Sequence, residues 1–177
     1  AVVHAELAVS LAHAADRVWE FGFVHLVAAI VQAQRGDWET ADTHAQTATE
    51  VGQALGAPRM IAEAAIARAF VAMARGDLEG VIDAAAAVRA MGKAVVLSLL
   101  PREWRSLEIE ALISLGRIGQ AEAALAELEA APSPVGATAR VDAARLRGDL
   151  ATAAGQQDTA AAAFQTATLA LIPPVLT

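Results

Sequence analysis

Cysteine and tyrosine are absent from the 177 residues, and lysine occurs once, at Lys93, against twelve arginines. Without cysteine there is no disulfide framework and no thiolate metal site, which fits a reducing cytoplasm. Aromatic residues make up only 4%. Strands favour aromatic and β-branched side chains, so this scarcity argues against a sheet. Positive charge is short as well: 13 basic residues face 20 acidic ones, a net charge of −7. Residues 1–88 hold 5 basic and 11 acidic residues, and residues 89–177 hold 8 and 9. Neither half offers the clustered cations that a phosphate backbone requires, so direct nucleic-acid binding is not expected. No secretory leader pattern is visible. The longest uncharged run, 159–177, contains Thr, Gln and Pro173-Pro174, poor material for a membrane span.

What the chain has in abundance is alanine, within a hydrophobic content of 56%. Alanine is the best helix former and lets helices approach closely. The expected class is all-α.

One short stretch organises the rest: Arg35-Gly36-Asp37-Trp38-Glu39-Thr40-Ala41. Degenerate copies begin at Arg75-Gly76-Asp77-Leu78, at Gly116-Arg117-Ile118 and at Gly155-Gln156-Gln157, so the lead glycines are spaced by 40, 40 and 39. Each copy sets a small residue five places after its glycine: Ala41, Val81, Ala121 and Ala160. A turn recurring at constant period between apolar segments predicts stacked helix pairs. Glycine suits the left-handed residue that closes a helix, and the following Asp can cap the next one. Trp38 and Leu78 are placed to wedge between the helices of a hairpin. Turn chemistry also explains Arg-Gly-Asp at 35 and 75, and a third copy at 147 falls inside a helical pattern, so an adhesion motif is not inferred.

The periodicity predicts nine helices, near 1–17, 20–35, 37–54, 59–75, 77–91, 101–115, 118–131, 135–154 and 157–171. The first carries Val3, Leu7 and Leu11 at helical spacing. The fourth is apolar nearly all round, as for a helix packed on several sides. Residues 92–100 read equally as a tucked-in apolar loop or a short extra helix. Gly148 lies within the eighth helix, where it costs about 1 kcal/mol relative to Ala unless a close helix crossing requires it. The whole chain, 1–177, reads as one repeat domain of about four units. It opens without methionine on what reads as the second helix of a pair, so a fragment of a larger multidomain protein is expected.

Chemical motifs are missing. There is no His-Glu-x-x-His, and the histidines at 4, 13, 25 and 44 never share the i, i+4 spacing of paired ligands. Each reads as an ordinary helix residue. No nucleophile elbow and no glycine-rich phosphate loop occurs. Glu108 and Glu110 point to different faces of one helix. No catalytic residue, metal ligand or cofactor site is assigned.

The turn, with Gly-Asp-aromatic and an alanine five after the glycine, resembles the tetratricopeptide repeat, although the period is near 40 rather than 34 and the full aromatic set is missing. Longer units of this kind resemble the helical-repeat region of large bacterial ATP-dependent LuxR-type transcriptional regulators, the MalT-like group. Trp104–Arg117 and Ala144–Phe164 carry that resemblance most closely. It implies a right-handed superhelix of antiparallel helix pairs, acting as a non-catalytic protein- or effector-binding module in the cytoplasm. Such regulators place an ATPase module before the repeats and a helix-turn-helix domain after them, and the motifs of neither occur in this chain. Some bacterial cyclases and kinases carry similar arrays, which leaves a structural spacer within a signalling enzyme as the alternative.

The resemblance also implies which residues face the concave side: those thirteen, ten, six, three and two before each turn glycine. They include Phe23, Leu26 and Ile30; Glu63, Phe70 and Met73; Glu103, Ser106 and Glu110; and Asp142, Arg145 and Asp149. Such a groove would run from apolar to acidic and suit a peptide with apolar anchors and a basic tail. In the competing reading the apolar members are core and the acidic ones merely solvated.

Overall fold

The structure, a computed structural model, describes residues 2–14, 18–92, 104–130 and 136–170. Among these residues there are nine α-helices and no strand. They are α1 (Val2–Ala14), α2 (Val18–Arg35), α3 (Trp38–Ala54), α4 (Pro58–Arg75), α5 (Leu78–Ala90), α6 (Trp104–Ser114), α7 (Ile118–Ala130), α8 (Gly136–Ala153) and α9 (Gln157–Ala170). The ambiguous stretch 92–100, apart from Gly92, lies outside the described residues. None of these helices is long and apolar enough to cross a membrane. The chain divides into two compact units, 1–101 with α1–α5 and 102–177 with α6–α9.

The four lead glycines have φ of 82°, 77°, 70° and 73°, at 36, 76, 116 and 155. Each turn closes in the same way. The Gly76 N–H donates to the Met73 carbonyl at 3.1 Å and the Asp77 N–H to the Ala72 carbonyl at 2.9 Å. Equivalent bonds run from Gly36, Gly116 and Gly155 and their successors. Two carbonyls of the last turn accept at each reversal, and the left-handed φ is what aims the N–H after the glycine at its carbonyl. Asp37 then accepts from the Thr40 N–H at 3.3 Å, and Asp77 from the Gly80 N–H at 3.0 Å, capping α3 and α5. The first and second helices of each hairpin therefore meet in one register.

Alanine fills the spaces this register creates. In unit 1 the core consists of Leu26, Ala29, Ile30 and Ala33 of α2, Ala41, Ala45 and Ala48 of α3, and Ala64, Ala67 and Val71 of α4. Phe23 and Phe70 pack against it while half-buried. α4 is packed by α2, α3 and α5 and buries residues around nearly its whole circumference, which explains its unbroken apolar character. In unit 2, Leu107, Ile109, Leu112, Leu125, Leu146 and Leu150 are buried. The small residues five after each glycine, Ala41, Val81, Ala121 and Ala160, are all buried at 3% exposure or less.

One expectation is corrected. Trp38 does not wedge into its hairpin but is exposed, while Ala33 and Ala41 beside the turn belong to the core. The stripe Val3, Leu7 and Leu11 on α1 faces outward, and the residues α1 buries are Ala5 and Ala12. Among the described helices α1 packs only on α2, and its alanine side permits the closest approach.

Gly148 has the packing reason its position requires. A Cβ there would lie 2.5 Å from Phe164 Cε1, so the α9 ring sits directly on the α8 backbone. Gly148→Ala in the Phe164→Ala background is expected to recover helix propensity of about 1 kcal/mol, and to recover much less, or destabilise, with Phe164 in place. Additive effects in a denaturation double-mutant cycle would contradict the contact. Separately, Gly76→Val is expected to cost about 1 kcal/mol or more, since a β-branched residue disfavours the left-handed region. An unchanged melting midpoint would refute the turn's role.

Candidate acidic cluster and the placement of the groove residues

Five of the residues expected on the concave side come together in unit 2. Ser106 and Glu110 are one helical turn apart on α6; Asp142, Arg145 and Asp149 are spaced i, i+3, i+7 on α8. Both spacings place their members on one helix face. The Arg145 guanidinium joins the two helices: Nη2 donates to Glu110 Oε1 at 2.5 Å and to Asp142 Oδ1 at 2.7 Å, and Nη1 to Asp149 Oδ2 at 2.8 Å. The second Asp142 oxygen accepts from the fully buried Ser106 hydroxyl.

Three carboxylates against one guanidinium leave this cluster formally at −2. Its charged side chains are 21–37% exposed, sheltered but open to water on one side. Burial alone would lower the pKa of Arg145; the hydrogen bond to Asp142 and the charge of Glu110 outweigh that and raise it. The arginine thus stays charged and cross-links α6 to α8, while the surplus negative charge faces outward. A half-exposed pair of this kind stabilises by only about 0–1 kcal/mol. The cluster positions charge more than it holds the fold.

The remaining residues expected on a concave side are distributed differently. Leu26 and Ile30 belong to the unit 1 core, and Glu63 is buried at 1% exposure on α4. Phe23, Phe70 and Met73 are half-buried, with Phe23 edge-on to Trp19 at 5.4 Å. Glu103 lies outside the described residues. Leu26, Ile30, Glu63 and Ser106 present almost no surface to a ligand in this structure.

A second ionic clasp sits at the turn of the second Arg-Gly-Asp. Arg75 donates to Asp77 at 2.8 Å and to Asp42 of α3 at 2.7 Å. The hydrogen bond from Arg75, followed by that from the Gly80 N–H, holds the Asp77 carboxyl below its ordinary range. An open polar cleft of about 240 Å³ adjoins the clasp, lined by Asp42, Arg68, Ala72, Arg75, Asp77, Gly80 and Asp83. It contains no hydroxyl, thiol or imidazole, the usual nucleophiles and neutral bases. Among the described residues, no group of three or more His, Asp or Glu side chains is arranged to hold a metal ion.

The histidines form a contact that their spacing does not announce. His25 of α2 and His44 of α3 meet with their Nδ1 atoms 2.9 Å apart. Nineteen residues separate them, and only the antiparallel hairpin closes that distance.

Comparison of the chain with protein-family models, with curated proteins and with solved structures finds no match to any of them.

Arg145→Met is expected to leave three neighbouring carboxylates without their shared cation. Thermal melts at pH 7 and low salt should show a loss of about 1 kcal/mol or more, with partial recovery in high salt, where the repulsion is screened. A salt-independent loss would assign Arg145 a packing role only.

Proposed function

We propose that this chain is a non-catalytic binding module: a tetratricopeptide-like array of about four hairpins in a right-handed superhelix, serving as the recognition region of a bacterial LuxR-type transcriptional regulator in the cytoplasm. In this reading it binds a protein segment that presents basic side chains. The observation that carries it is the convergence of Ser106, Glu110, Asp142, Arg145 and Asp149 on one half-open face with surplus negative charge. These residues come from two helices and stand at the positions that a concave surface would use.

The chemistry of such a face is electrostatic selection. An incoming guanidinium or ammonium meets carboxylates already oriented by Arg145, so little ordering is lost on binding. Complementary charge raises the association rate and rejects acidic partners. Phe23, Phe70 and Met73 in unit 1 are candidate apolar contacts, being half-buried rather than fully absorbed in the core.

A second reading, a structural spacer or interaction array within a signalling enzyme such as a cyclase or kinase, draws support from the burial of Leu26, Ile30, Glu63 and Ser106. Titration calorimetry with an arginine-rich peptide and an acidic control separates the two. The binding reading expects salt-sensitive binding of the basic peptide, weakened about tenfold, or 1.4 kcal/mol, by Glu110→Gln with Asp149→Asn. No binding, or binding indifferent to these substitutions, would favour the spacer. ATP hydrolysis above background, or tight duplex binding at physiological salt, would overturn both.

A further inference from the structure

Three aromatic contacts run in line through the first three helices. His13 of α1 lies 5.6 Å from Phe21 of α2, Phe21 lies 4.4 Å from His25, and His25 lies 4.8 Å from His44 of α3. The series ends in the Nδ1–Nδ1 contact of 2.9 Å. Two imidazole nitrogens can approach so closely only with a single proton between them. Two bare lone pairs repel, and two N–H groups collide.

The surroundings decide which ring supplies that proton. His25 is 7% exposed, and its Nε2 is buried without a partner. A buried N–H without an acceptor costs more than a buried lone pair. The neutral pair therefore has His25 donating from Nδ1 to His44 Nδ1, and His44, the less buried ring, carries its own proton on Nε2.

Adding one proton keeps a hydrogen between the Nδ1 atoms but forces an N–H onto the buried Nε2 of His25. The only lone pair left outside the contact is on His25 Nε2, which has no acceptor among the described residues. If the contact instead reverses, with a cationic His44 donating, His25 must again carry its proton on the buried Nε2. A second added proton puts N–H groups on both sides of the contact, which then cannot persist.

The charged groups around the pair come from each packed element. Glu6 of α1 and Asp37 of the α2–α3 turn favour a cationic His44, and His13 of α1 disfavours a cationic His25. Gln32 of α2, buried, reaches Glu6 at 3.4 Å. α4, packed on both α2 and α3, carries Arg59, Glu63, Arg68 and Arg75, of which only Glu63 is buried.

We propose that the His25–His44 contact is an acid-released clasp: in its neutral form it holds α2 to α3, and protonation parts the rings and loosens α1–α3. This assignment is independent of peptide binding by unit 2. Burial first, then the charges of His44 and His13, lower His25 from 6.5 to about 4. Burial also lowers His44, with Glu6 and Asp37 opposing. A base whose folded pKa lies below its unfolded value adds stability that is complete above the unfolded pKa. That stability is lost as pH falls from 6.5 towards about 4.

Imidazole nitrogen NMR on the full chain at pH 7.5 tests the neutral form directly. The expected result is His25 with its proton on Nδ1 and His44 with its proton on Nε2. Both rings in the Nε2–H form would refute the shared proton. Hydrogen exchange, corrected for intrinsic rates, tests the release. Protection in α1–α3 should fall about tenfold or more from pH 7 to pH 5, with α6–α9 changing less. His44→Phe, which keeps a ring but removes the titrating partner, should reduce that loss, leaving the part that burial of His25 alone supplies. If it misfolds, His44→Asn serves the same purpose, and the nitrogen measurement needs no variant. Equal pH dependence in the wild type and a folded variant would overturn the proposal.

Discussion

A left-handed glycine after each first helix sets nearly everything else. Where Gly36, Gly76, Gly116 and Gly155 adopt positive φ, the glycine N–H and the one after it are committed to carbonyls inside the finished helix. The chain must then reverse at a fixed angle, and positions counted from the glycine acquire fixed environments. That is why the fifth residue is buried at each copy, and why positions ten and six before two different glycines, on α6 and α8, meet at one cluster. A non-glycine residue could satisfy the carbonyls only with strain in its own backbone.

Alanine is the second half of the same constraint. A buried methyl removes far less apolar surface than a buried leucine side chain, which contributes about 1.5–3 kcal/mol. An alanine core therefore stabilises through the number and closeness of its contacts. The cost is intolerance of large side chains at the crossings, seen in the exposure of Trp38 and in Phe164 seated on Gly148. The same closeness brings His25 and His44 into direct contact, at a separation that a leucine-rich interface would not allow.

Both units combine buried polar groups with half-open charge. Unit 2 gathers Glu110, Asp142, Arg145 and Asp149 at a half-open face, where water screens what Arg145 does not neutralise, and buries Ser106 and Glu108. Unit 1 buries Glu63, Gln32 and His25 within an apolar setting. Half-exposed charge costs the fold little, whereas the burial of His25 ties folding to pH.

Composition and the spacing of glycines determined the helical class and the positions of the helices to within a few residues, because those signals are local. Alanine propensity, capping by Asp37 and Asp77 and the left-handed demand at each turn act over a handful of neighbours. The resemblance to tetratricopeptide-like arrays, counted from the glycines, names the residues of the acidic cluster among its concave positions, and their meeting is a matter of tertiary packing. What lay beyond the sequence depended on facing surfaces. Burial of Leu26 and Glu63, exposure of Val3, Leu7 and Leu11, and the choice of Arg145 as the cation between α6 and α8 follow from which helix packs where. The shared proton between His25 and His44 is the clearest case. Neither residue has a distinctive neighbour in the chain, and only tertiary packing sets their Nδ1 atoms together while leaving one Nε2 dry.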